Sequence, residues 1–282
     1  MNNEIKVSII ITTFNKLKYF RDTINSAINQ NFDSFEIIVI DDHSTDGTID
    51  ALKSFENSLK VECVRFFYME KNRGVVYCRN FGINVARGKY ILPLDGDDLI
   101  TEDYIKISSD YMDNNADCGI CYCQARLFGK KNELWNLPAY DSEKIWIQNC
   151  IFSCAMYRKS DAVLIGGYDE LFNAGHEDWD FWLSIISLGR SVHRIDKVMF
   201  MYRIENGART ESANKVLGET TRNLFRKHVN WIASLPNSCE LLMSAPYLNR
   251  VAKRKLKKYK LITVVLGFLL FLFLIIFFAQ NL

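Results

Sequence analysis

Short apolar runs alternate with amphipathic segments through the first hundred residues of the chain. Four β-branched runs predict strands: 6–12, 36–40, 64–69 and 90–94. Three segments with the helical spacing of apolar positions lie between them: 17–27, 48–55 and 75–85. Repeated β-α-β units of this length predict a mostly parallel sheet with right-handed crossovers. Because the runs are continuous in Val and Ile, we expect both sheet faces to be covered, in a three-layer α/β/α fold.

The pattern becomes less regular after residue 103. Helices are predicted at three places: 103–113, 178–188 and 219–235. Strands are predicted at three more: 119–128, 192–195 and 198–202. An irregular segment lies at 129–142. We interpret residues 1–235 as one domain built from two halves.

The end of the chain has a different composition. Residues 250–260 carry seven cations and no acid, and residues 261–279 contain no charge and no proline. As a helix, that apolar run would extend about 28 Å, close to the thickness of a bilayer core. We therefore predict a single transmembrane helix at 261–279 after a basic juxtamembrane segment at 236–260. The positive-inside rule then places the domain in the cytoplasm.

The charge outside this tail is mildly acidic. The whole chain has 35 Lys and Arg against 33 Asp and Glu, but without the seven tail cations 28 basic residues face 33 acidic ones. This balance argues against a broad nucleic-acid surface. The eight cysteines fit free thiols. Cys118, Cys121 and Cys123 lack the second Cys or His pair of a metal site, which favours buried strand positions.

Three carboxylates directly follow the predicted strand at 90–94. Asp95, Asp97 and Asp98 surround Gly96, which lets the backbone turn tightly enough for the acids to converge. Like charges this close repel unless a cation neutralises them, and carboxylate oxygens suit Mg²⁺ or Mn²⁺. Since ligands of α/β sheets bind at the carboxyl ends of strands, this turn predicts a metal-bound nucleotide.

Polar motifs also follow the other predicted strands. They are residues 12–15 (TTFN), 41–48 (DDHSTDGT) and 72–82 (NRGVVYCRNFG). In a parallel sheet such loops emerge at one edge and can converge on one ligand. Asp42 can accept from the imide N–H of uracil, and Arg79 can pair with a base or a phosphate. Each has a structural alternative, since Asp42 can cap a helix, Asn15 can form a turn and Arg79 can be a surface cation.

A further acidic group opens the predicted helix at 178–188. Glu177, Asp178 and Asp180 lie among Trp179 and Trp182. A helix N-terminus stabilises negative charge, and an ionised carboxylate shielded by aromatic rings is typical of a general base beside a sugar-sized site. The alternative is a set of first-turn acids with core aromatic residues.

Four segments together resemble the inverting family 2 glycosyltransferases, which have a GT-A fold. They are VSIIITTFNK, EIIVIDDHSTDGT, NRGVVYCRNFGINVARGKYILPLDGDD and GHEDWDFWL, within residues 5–205. The ordered set is specific, whereas a D-x-D motif alone is common. The resemblance is to the bacterial surface-polysaccharide type of this family. It implies a Rossmann-like nucleotide-binding sheet within the GT-A fold, and a bacterial inner membrane for the predicted anchor. It also implies transfer of a sugar from a nucleoside diphosphate to an acceptor hydroxyl, with a divalent metal (Mn²⁺ or Mg²⁺) on the diphosphate.

The resemblance also implies roles for individual residues. The nucleoside would contact Thr12, Phe14, Asn15, Asp42 and Arg79. Asp95 would lie near the ribose, and Asp97 would bind the metal. Asp178 would be the catalytic base, with Glu177 and Trp179 on the acceptor side. Where many relatives carry a histidine near the diphosphate, this chain has Glu205.

These motifs predict a metal-dependent transferase that moves a sugar, from UDP in the leading hypothesis, to a glycan or lipid-linked acceptor in cell-surface polysaccharide synthesis. The alternative is a nucleotidyltransferase that makes nucleotide sugars. Such enzymes usually have a glycine-rich phosphate loop after the first strand, and residues 12–16 contain no glycine, which argues against that alternative.

Overall fold

The computed structural model describes residues 4–205, 209–237 and 239–240, with only the helical backbone at 209–217. The chain divides into two compact units. The first comprises Met1–Asp141 and Asn149–Trp231, and it contains the sheet and the candidate site. The second comprises Ser142–Gln148 and the chain from Ile232 onward, and its first segment forms a short 3₁₀ turn at Lys144–Trp146.

The described residues contain nine strands and eight α-helices. The strands are β1 (Val7–Thr13), β2 (Phe35–Asp41), β3 (Val64–Tyr68), β4 (Tyr90–Asp95), β5 (Leu99–Ile100), β6 (Cys118–Gly129), β7 (Glu133–Leu134), β8 (Met156–Arg158) and β9 (Ser191–Ile204). The helices are α1 (Phe20–Ile28), α2 (Thr48–Ser58), α3 (Val75–Val85), α4 (Tyr104–Asn114), α5 (Lys159–Leu164), α6 (Glu177–Ile186), α7 (Arg209–Lys227) and α8 (Val229–Ser234). A second 3₁₀ turn lies at Glu170–Phe172.

The described strands form one mixed sheet in the order β3-β2-β1-β4-β8-β6-β9-β5, with β7 beside β6. The first four strands of this order are parallel. β8 is antiparallel to both β4 and β6, whereas β9 is parallel to β6. The α/β sheet prediction is confirmed, but the "mostly parallel" description fits only the β3-β2-β1-β4 part without exception.

The centre of the sheet is covered on both faces. Every residue of β1 and β2 is buried, which explains why these strands are continuous Val and Ile runs. Burying each such side chain fully stabilises the fold by about 1.5–3 kcal/mol. Helix α3 packs closely on this layer, because a Cβ on Gly82 would lie 2.5 Å from the Cγ2 atom of Ile10. The strand ends that carry the candidate residues are therefore fixed by a tightly packed core.

The predicted elements agree best in the first hundred residues, where each predicted strand lies within one residue of the observed one and α3 has the predicted bounds. The two strands predicted at 192–202 form one strand, β9, whose pairing with β6 shifts register near Gln124. The helix predicted at 219–235 is two helices, α7 and α8. β8 was not predicted.

The predicted membrane localisation is contradicted. Among the described residues, no helix combines the length and the apolar character that crossing a bilayer requires. The segment at 261–279, on which that prediction was based, lies outside the described residues.

The cysteines agree with the prediction of free thiols. Cys118, Cys121 and Cys123 lie on β6 and are each at most 1% exposed. Their positions are therefore core positions of the sheet.

Candidate active site

The carboxyl ends of β1, β2 and β4 lie side by side. In the sheet register Thr13 pairs with Asp41, and Thr12 pairs with Asp95. The Thr12 hydroxyl donates to Asp95 Oδ1 over 3.4 Å. The predicted convergence of these strand-end motifs is therefore present in the structure.

The turn after β4 depends on a close approach rather than on an unusual backbone angle. Gly96 is not among the glycines with positive φ. A Cβ at this position would lie 2.7 Å from the Cβ of Thr13, and the Gly96 N–H donates to the Thr12 carbonyl over 2.9 Å. Glycine is therefore required because the turn lies directly against the end of β1, which corrects the predicted reason for Gly96.

The three acids of this turn have different surroundings. Asp95 accepts from Arg79, and Asp97 forms an ion pair with Lys16. Asp98 is 1% exposed; its Oδ1 accepts the N–H of Arg203 over 2.8 Å, while its Oδ2 is buried without a hydrogen bond. Burial raises the pKa of the Asp98 carboxyl well above its usual range, and the charges of Asp95 and Asp97 add to this. Asp98 therefore holds the turn to β9, whereas Asp95 and Asp97 remain partly exposed.

Arg79 connects the acidic turn to helix α6. Its guanidinium is 1% exposed, and it pairs with Asp95 Oδ1 at 2.9 Å and with Glu177 Oε1 at 3.2 Å. It also lies over the Tyr168 ring, 5.4 Å from the ring centre. Burial alone would lower the pKa of Arg79, but the charges of Asp95, Tyr168 and Glu177 outweigh it and raise the pKa. Arg79 is thus a buried bridge between two acids, a placement that the sequence did not indicate.

The loops after β1 and β2 form a shared platform. Asn15, with φ of +55°, donates its N–H to Ser44 Oγ and accepts the Thr45 N–H at Oδ1, each over 2.8 Å. The Lys16 N–H donates to Thr48 Oγ1 over 3.1 Å. Phe14, by contrast, is 44% exposed at the end of β1. The platform therefore fixes the loop through Asn15 and leaves the Phe14 ring accessible.

Asp42 organises the start of α3. Its carboxylate accepts the N–H groups of Arg73 and Gly74 over 2.7 and 2.8 Å. Gly74 has φ of +86°, and a Cβ there would lie 2.3 Å from the Asn173 amide nitrogen, so no other residue fits. The neighbouring Asp41 binds the N–H and hydroxyl of Ser44, and burial raises the pKa of its carboxyl. The alternative that Asp42 caps the next helix is wrong, because α2 has Gly47 at its N-cap and no side-chain cap bond. The Asp42 carboxylate instead binds the backbone just before α3, at the same edge as Thr12.

Helix α6 presents its first acids to this edge. Glu177 is 7% exposed and Asp178 is half-buried. Asp178 Oδ1 accepts the N–H of Trp179 over 2.7 Å, and its Oδ2 lies 3.5 Å from the Asn149 amide nitrogen. Trp179 is 6% exposed. Because an α-helix has a positive potential at its N-terminus, this position favours the ionised form of Asp178.

Asp180 belongs to the scaffold of the same helix. It is 1% exposed and lies 2.8 Å from both Lys227 Nζ and His228 Nε2. These contacts join α6 to the end of α7. Of the acids in the EDWD motif, Asp180 therefore has a structural role.

The acidic turn has further neighbours, of which Arg203 was expected near the diphosphate as an alternative to a histidine, and Lys16 was not predicted. Lys16 contacts Asp97 directly, and Arg203 donates from Nε to the Asp97 carbonyl over 2.8 Å. The Arg203 guanidinium lies between the rings of Tyr19 and Phe128, at 4.1 and 4.2 Å. The Tyr19 hydroxyl in turn bonds Glu205, and this bond raises the pKa of Tyr19. Lys16 directly follows the TFN motif, but it lies 81 residues before Asp97, so no local signal in the sequence identifies this contact.

The residues beside the turn fit a divalent metal that takes most of its ligands from phosphate and water. Asp97 offers one carboxylate, which is 17% exposed. In the described part of the chain, no group of three or more His, Cys, Asp and Glu side chains could hold an ion by itself. Mg²⁺-type sites commonly use one or two carboxylates together with substrate phosphates, so Asp97 is the residue that would hold the metal.

Known proteins share both the sequence pattern and the fold. Residues 8–164, more than half of the chain, match the family model described as "Glycosyl transferase family 2". The chain is 26% identical over 219 residues to the putative teichuronic acid biosynthesis glycosyltransferase TuaG of Bacillus subtilis, covering 76% of this chain and 85% of TuaG.

Two solved structures show the same fold. S. aureus TarS 1-349 in complex with UDP-GlcNAc has a TM-score of 0.65 and 22% identity, covering 80% of this chain and 67% of that one. The mannosyltransferase PcManGT of Pyrobaculum calidifontis, in complex with GDP-Man and Mn²⁺, has a TM-score of 0.61 and 16% identity, covering 90% of this chain and 81% of that one. The predicted family and enzyme class are confirmed: the chain belongs to glycosyltransferase family 2 and is a glycosyltransferase.

Proposed function

We infer that the protein transfers a sugar from a UDP-sugar to a hydroxyl group of a glycan acceptor, with inversion at the anomeric carbon and with Mn²⁺ or Mg²⁺. The Arg79 bridge is the observation that carries this inference. It joins Asp95 at the donor edge of the sheet to Glu177, the neighbour of Asp178. A donor site and a base are thus held together by one buried guanidinium.

The donor side is suited to a nucleoside diphosphate. Phe14 offers an exposed ring on which a base can stack, and Asp42 has carboxylate lone pairs beyond the two used by backbone N–H groups. Thr12 and Asp95 form a hydroxyl and carboxylate pair that can bind a ribose. A divalent metal held by Asp97 would offset the negative charge that develops on the departing diphosphate.

Asp178 is positioned to act as the base. Its carboxylate would take the proton of the acceptor hydroxyl while that oxygen forms a bond to the anomeric carbon. The bond from that carbon to the diphosphate oxygen would break on the opposite face, and this single displacement inverts the anomeric configuration. Asn149 and the Trp179 N–H hold the Asp178 carboxylate in place.

The names of the relatives support the substrate class. TarS is in complex with UDP-GlcNAc, and PcManGT is in complex with GDP-Man and Mn²⁺. TuaG is named for teichuronic acid biosynthesis. These names support a nucleotide-sugar donor, a divalent metal and a role in surface polysaccharide synthesis.

The direct test is a panel of UDP- and GDP-sugars incubated with the purified protein in Mn²⁺, Mg²⁺ or EDTA, with release of nucleoside diphosphate as the measurement. We expect release from at least one UDP-sugar, loss of release in EDTA, and loss of release in Asp97→Asn. Asp33→Asn is the matched control, because Asp33 is exposed and precedes β2 at the opposite edge of the sheet.

Three results would contradict the proposal. Full activity in EDTA or in Asp97→Asn would show that the reaction does not need a metal bound by Asp97. Release of nucleoside diphosphate from GDP-sugars alone would show that the donor is not a UDP-sugar. Pyrophosphate release from a nucleoside triphosphate with a sugar phosphate would favour the nucleotidyltransferase alternative.

A further inference from the structure

Lys16 forms an ion pair with Asp97, the carboxylate to which the proposed metal would bind. Its ammonium forms an ion pair with Asp97 Oδ2, and the two side chains are 30% and 17% exposed. Asp97 is the acid that we assign to the metal. An oxygen that could bind the metal, Asp97 Oδ2, is therefore already paired with the ammonium group of Lys16.

The fold holds Lys16 in this place. Its N–H donates to Thr48 Oγ1, and the preceding Asn15 is fixed by Ser44 and Thr45. These bonds join the loop after β1 to the loop after β2 and to the start of α2. The backbone of Lys16 is thus anchored, whereas its side chain is 30% exposed beside Asp97.

The arrangement also balances the charge of the acidic turn. Arg79 pairs with Asp95 and with Glu177, and Lys16 pairs with Asp97, so each of the two partly exposed acids of the turn is next to a cation. The Arg79 side chain is 2% exposed, whereas that of Lys16 is 30% exposed. Of the two cations, Lys16 is the one that can leave without opening the core.

A divalent cation cannot bind Asp97 Oδ2 while the ammonium remains there. The two cations would compete for one oxygen and would repel each other at contact distance. A nucleoside diphosphate changes this competition, because its phosphate oxygens can bind both a metal ion and a lysine ammonium.

We propose that Lys16 is an internal counter-ion that keeps Asp97 from binding a divalent cation alone. The diphosphate of the donor draws Lys16 away, so that nucleotide and metal bind together. This inference rests on the metal assigned under the proposed function. Its consequence is weak binding of free Mn²⁺ and strong mutual enhancement between Mn²⁺ and UDP.

The test measures Mn²⁺ binding directly, without turnover. The electron paramagnetic resonance signal of free Mn²⁺ is titrated with the full-length protein, with and without saturating UDP. Lys16→Met removes the ammonium and keeps most of the aliphatic stem. Lys18→Met is the matched control, since Lys18 is exposed two residues away. Lys16→Arg keeps the cation, and circular dichroism checks that every variant is folded.

We expect Lys16→Met to bind Mn²⁺ without UDP at least about fivefold more tightly than the wild type, because the competing cation is gone. With UDP this difference should fall to about twofold or less. Lys16→Arg and Lys18→Met should behave like the wild type.

Two failures can be distinguished. If the wild type binds Mn²⁺ in the presence of UDP, but Lys16→Met binds free Mn²⁺ no more tightly, the role of Lys16 is wrong and the proposed function stands. If none of the proteins binds Mn²⁺ even with UDP, the proposed metal site at Asp97 is wrong, and the proposed role of Lys16 is wrong as well.

Discussion

The two halves of the sheet build their parts of the site in different ways. In the β3-β2-β1-β4 half, parallel neighbours end at one edge, and β1, β2 and β4 each deliver a motif there. The other half has the order β8-β6-β9-β5 with mixed directions, and its contribution comes from the start of α6 and the end of β9.

The contacts that hold each half differ in range. The donor platform is held by bonds between adjacent loops, such as Asn15 to Ser44, which are 29 residues apart. The acceptor side is joined to it by Arg79 to Glu177, 98 residues apart, and by Arg203 to Asp98, 105 residues apart. Long-range links such as these align the base with the donor, and a variant in one link can separate alignment from donor binding.

The largest expected effect is the loss of activity when the proposed catalytic base, Asp178, is replaced. We predict that Asp178→Asn lowers kcat by about 10³-fold, because the amide cannot accept the proton, while the affinity for UDP changes by about twofold or less. Initial rates and isothermal titration with UDP measure the two quantities. Asp196→Asn is the matched control, since its side chain is 82% exposed on β9. An equal loss of UDP affinity in Asp178→Asn would assign this residue to the donor side instead.

The next effect concerns the link between the halves. Arg79→Met leaves Glu177 and Asp95 without their shared cation, and breaking such a buried pair costs about 3 kcal/mol of unfolding free energy. Urea unfolding measures this cost. We also expect kcat to fall more than the affinity for UDP. Arg21→Met is the control, because Arg21 is exposed and lies over two rings, where its loss costs about 1 kcal/mol or less.

A different outcome would change the role of Arg79. If Arg79→Met abolished UDP binding and left the unfolding free energy unchanged, Arg79 would contact the nucleotide, as the family resemblance implies. Arg79→Lys separates the cases further, because a lysine keeps the charge but cannot pair with two acids in a fork geometry.

The sequence predicted the donor half well because buried parallel strands have a strong pattern. Continuous apolar runs identified β1 to β4, and the polar residues that follow β1, β2 and β4 identified the edge. β8 has only Met156, Tyr157 and Arg158, too few residues for a period, and its place between β4 and β6 depends on pairing with both.

The pairing of charges within the site could not be predicted. Thr12, Asp42, Asp95 and Asp97 lie at the expected edge, but nothing local indicates that Arg79 is buried. Lys16 lies 81 residues from its acid, and either cation could have been on the surface. Ion pairs between distant segments depend on packing, and the pattern of a single sequence does not show which charges meet.

A smaller effect tests the close packing at the donor edge. Gly96→Ala places a Cβ 2.7 Å from Thr13, and such overpacking costs about 1–3 kcal/mol and shifts the acids on either side. Gly166→Ala in the other half meets no atom within 4 Å but has φ of +83°, so it costs about 1–2 kcal/mol through the backbone alone. We expect Gly96→Ala to lose activity as well as stability, and Gly166→Ala to lose stability only. Rates at saturating donor and thermal midpoints measure the pair, and equal activities would show that the edge tolerates displacement.

The smallest effect is a difference in acid sensitivity between the halves. Burial lowers the pKa of His176 below 6.5, so the unfolded chain binds its proton first and this contribution to stability is lost as the pH falls below about 6.5. In the donor half, burial would raise the pKa of Glu36, but hydrogen bonds from Arg87 and Ser8 and the charge of Arg65 lower it below 4.5. Its contribution is therefore present above about pH 4.5 and is lost as the pH falls through the lowered pKa. We expect His176→Asn, which suits φ of +68°, to reduce the change in unfolding free energy between pH 7 and 5. We expect Glu36→Gln to reduce that change only below about pH 4.5. Urea unfolding at a series of pH values measures the unfolding free energy in both pH ranges. A Glu36→Gln effect centred near pH 6 would show that Glu36 does not titrate in the lower range.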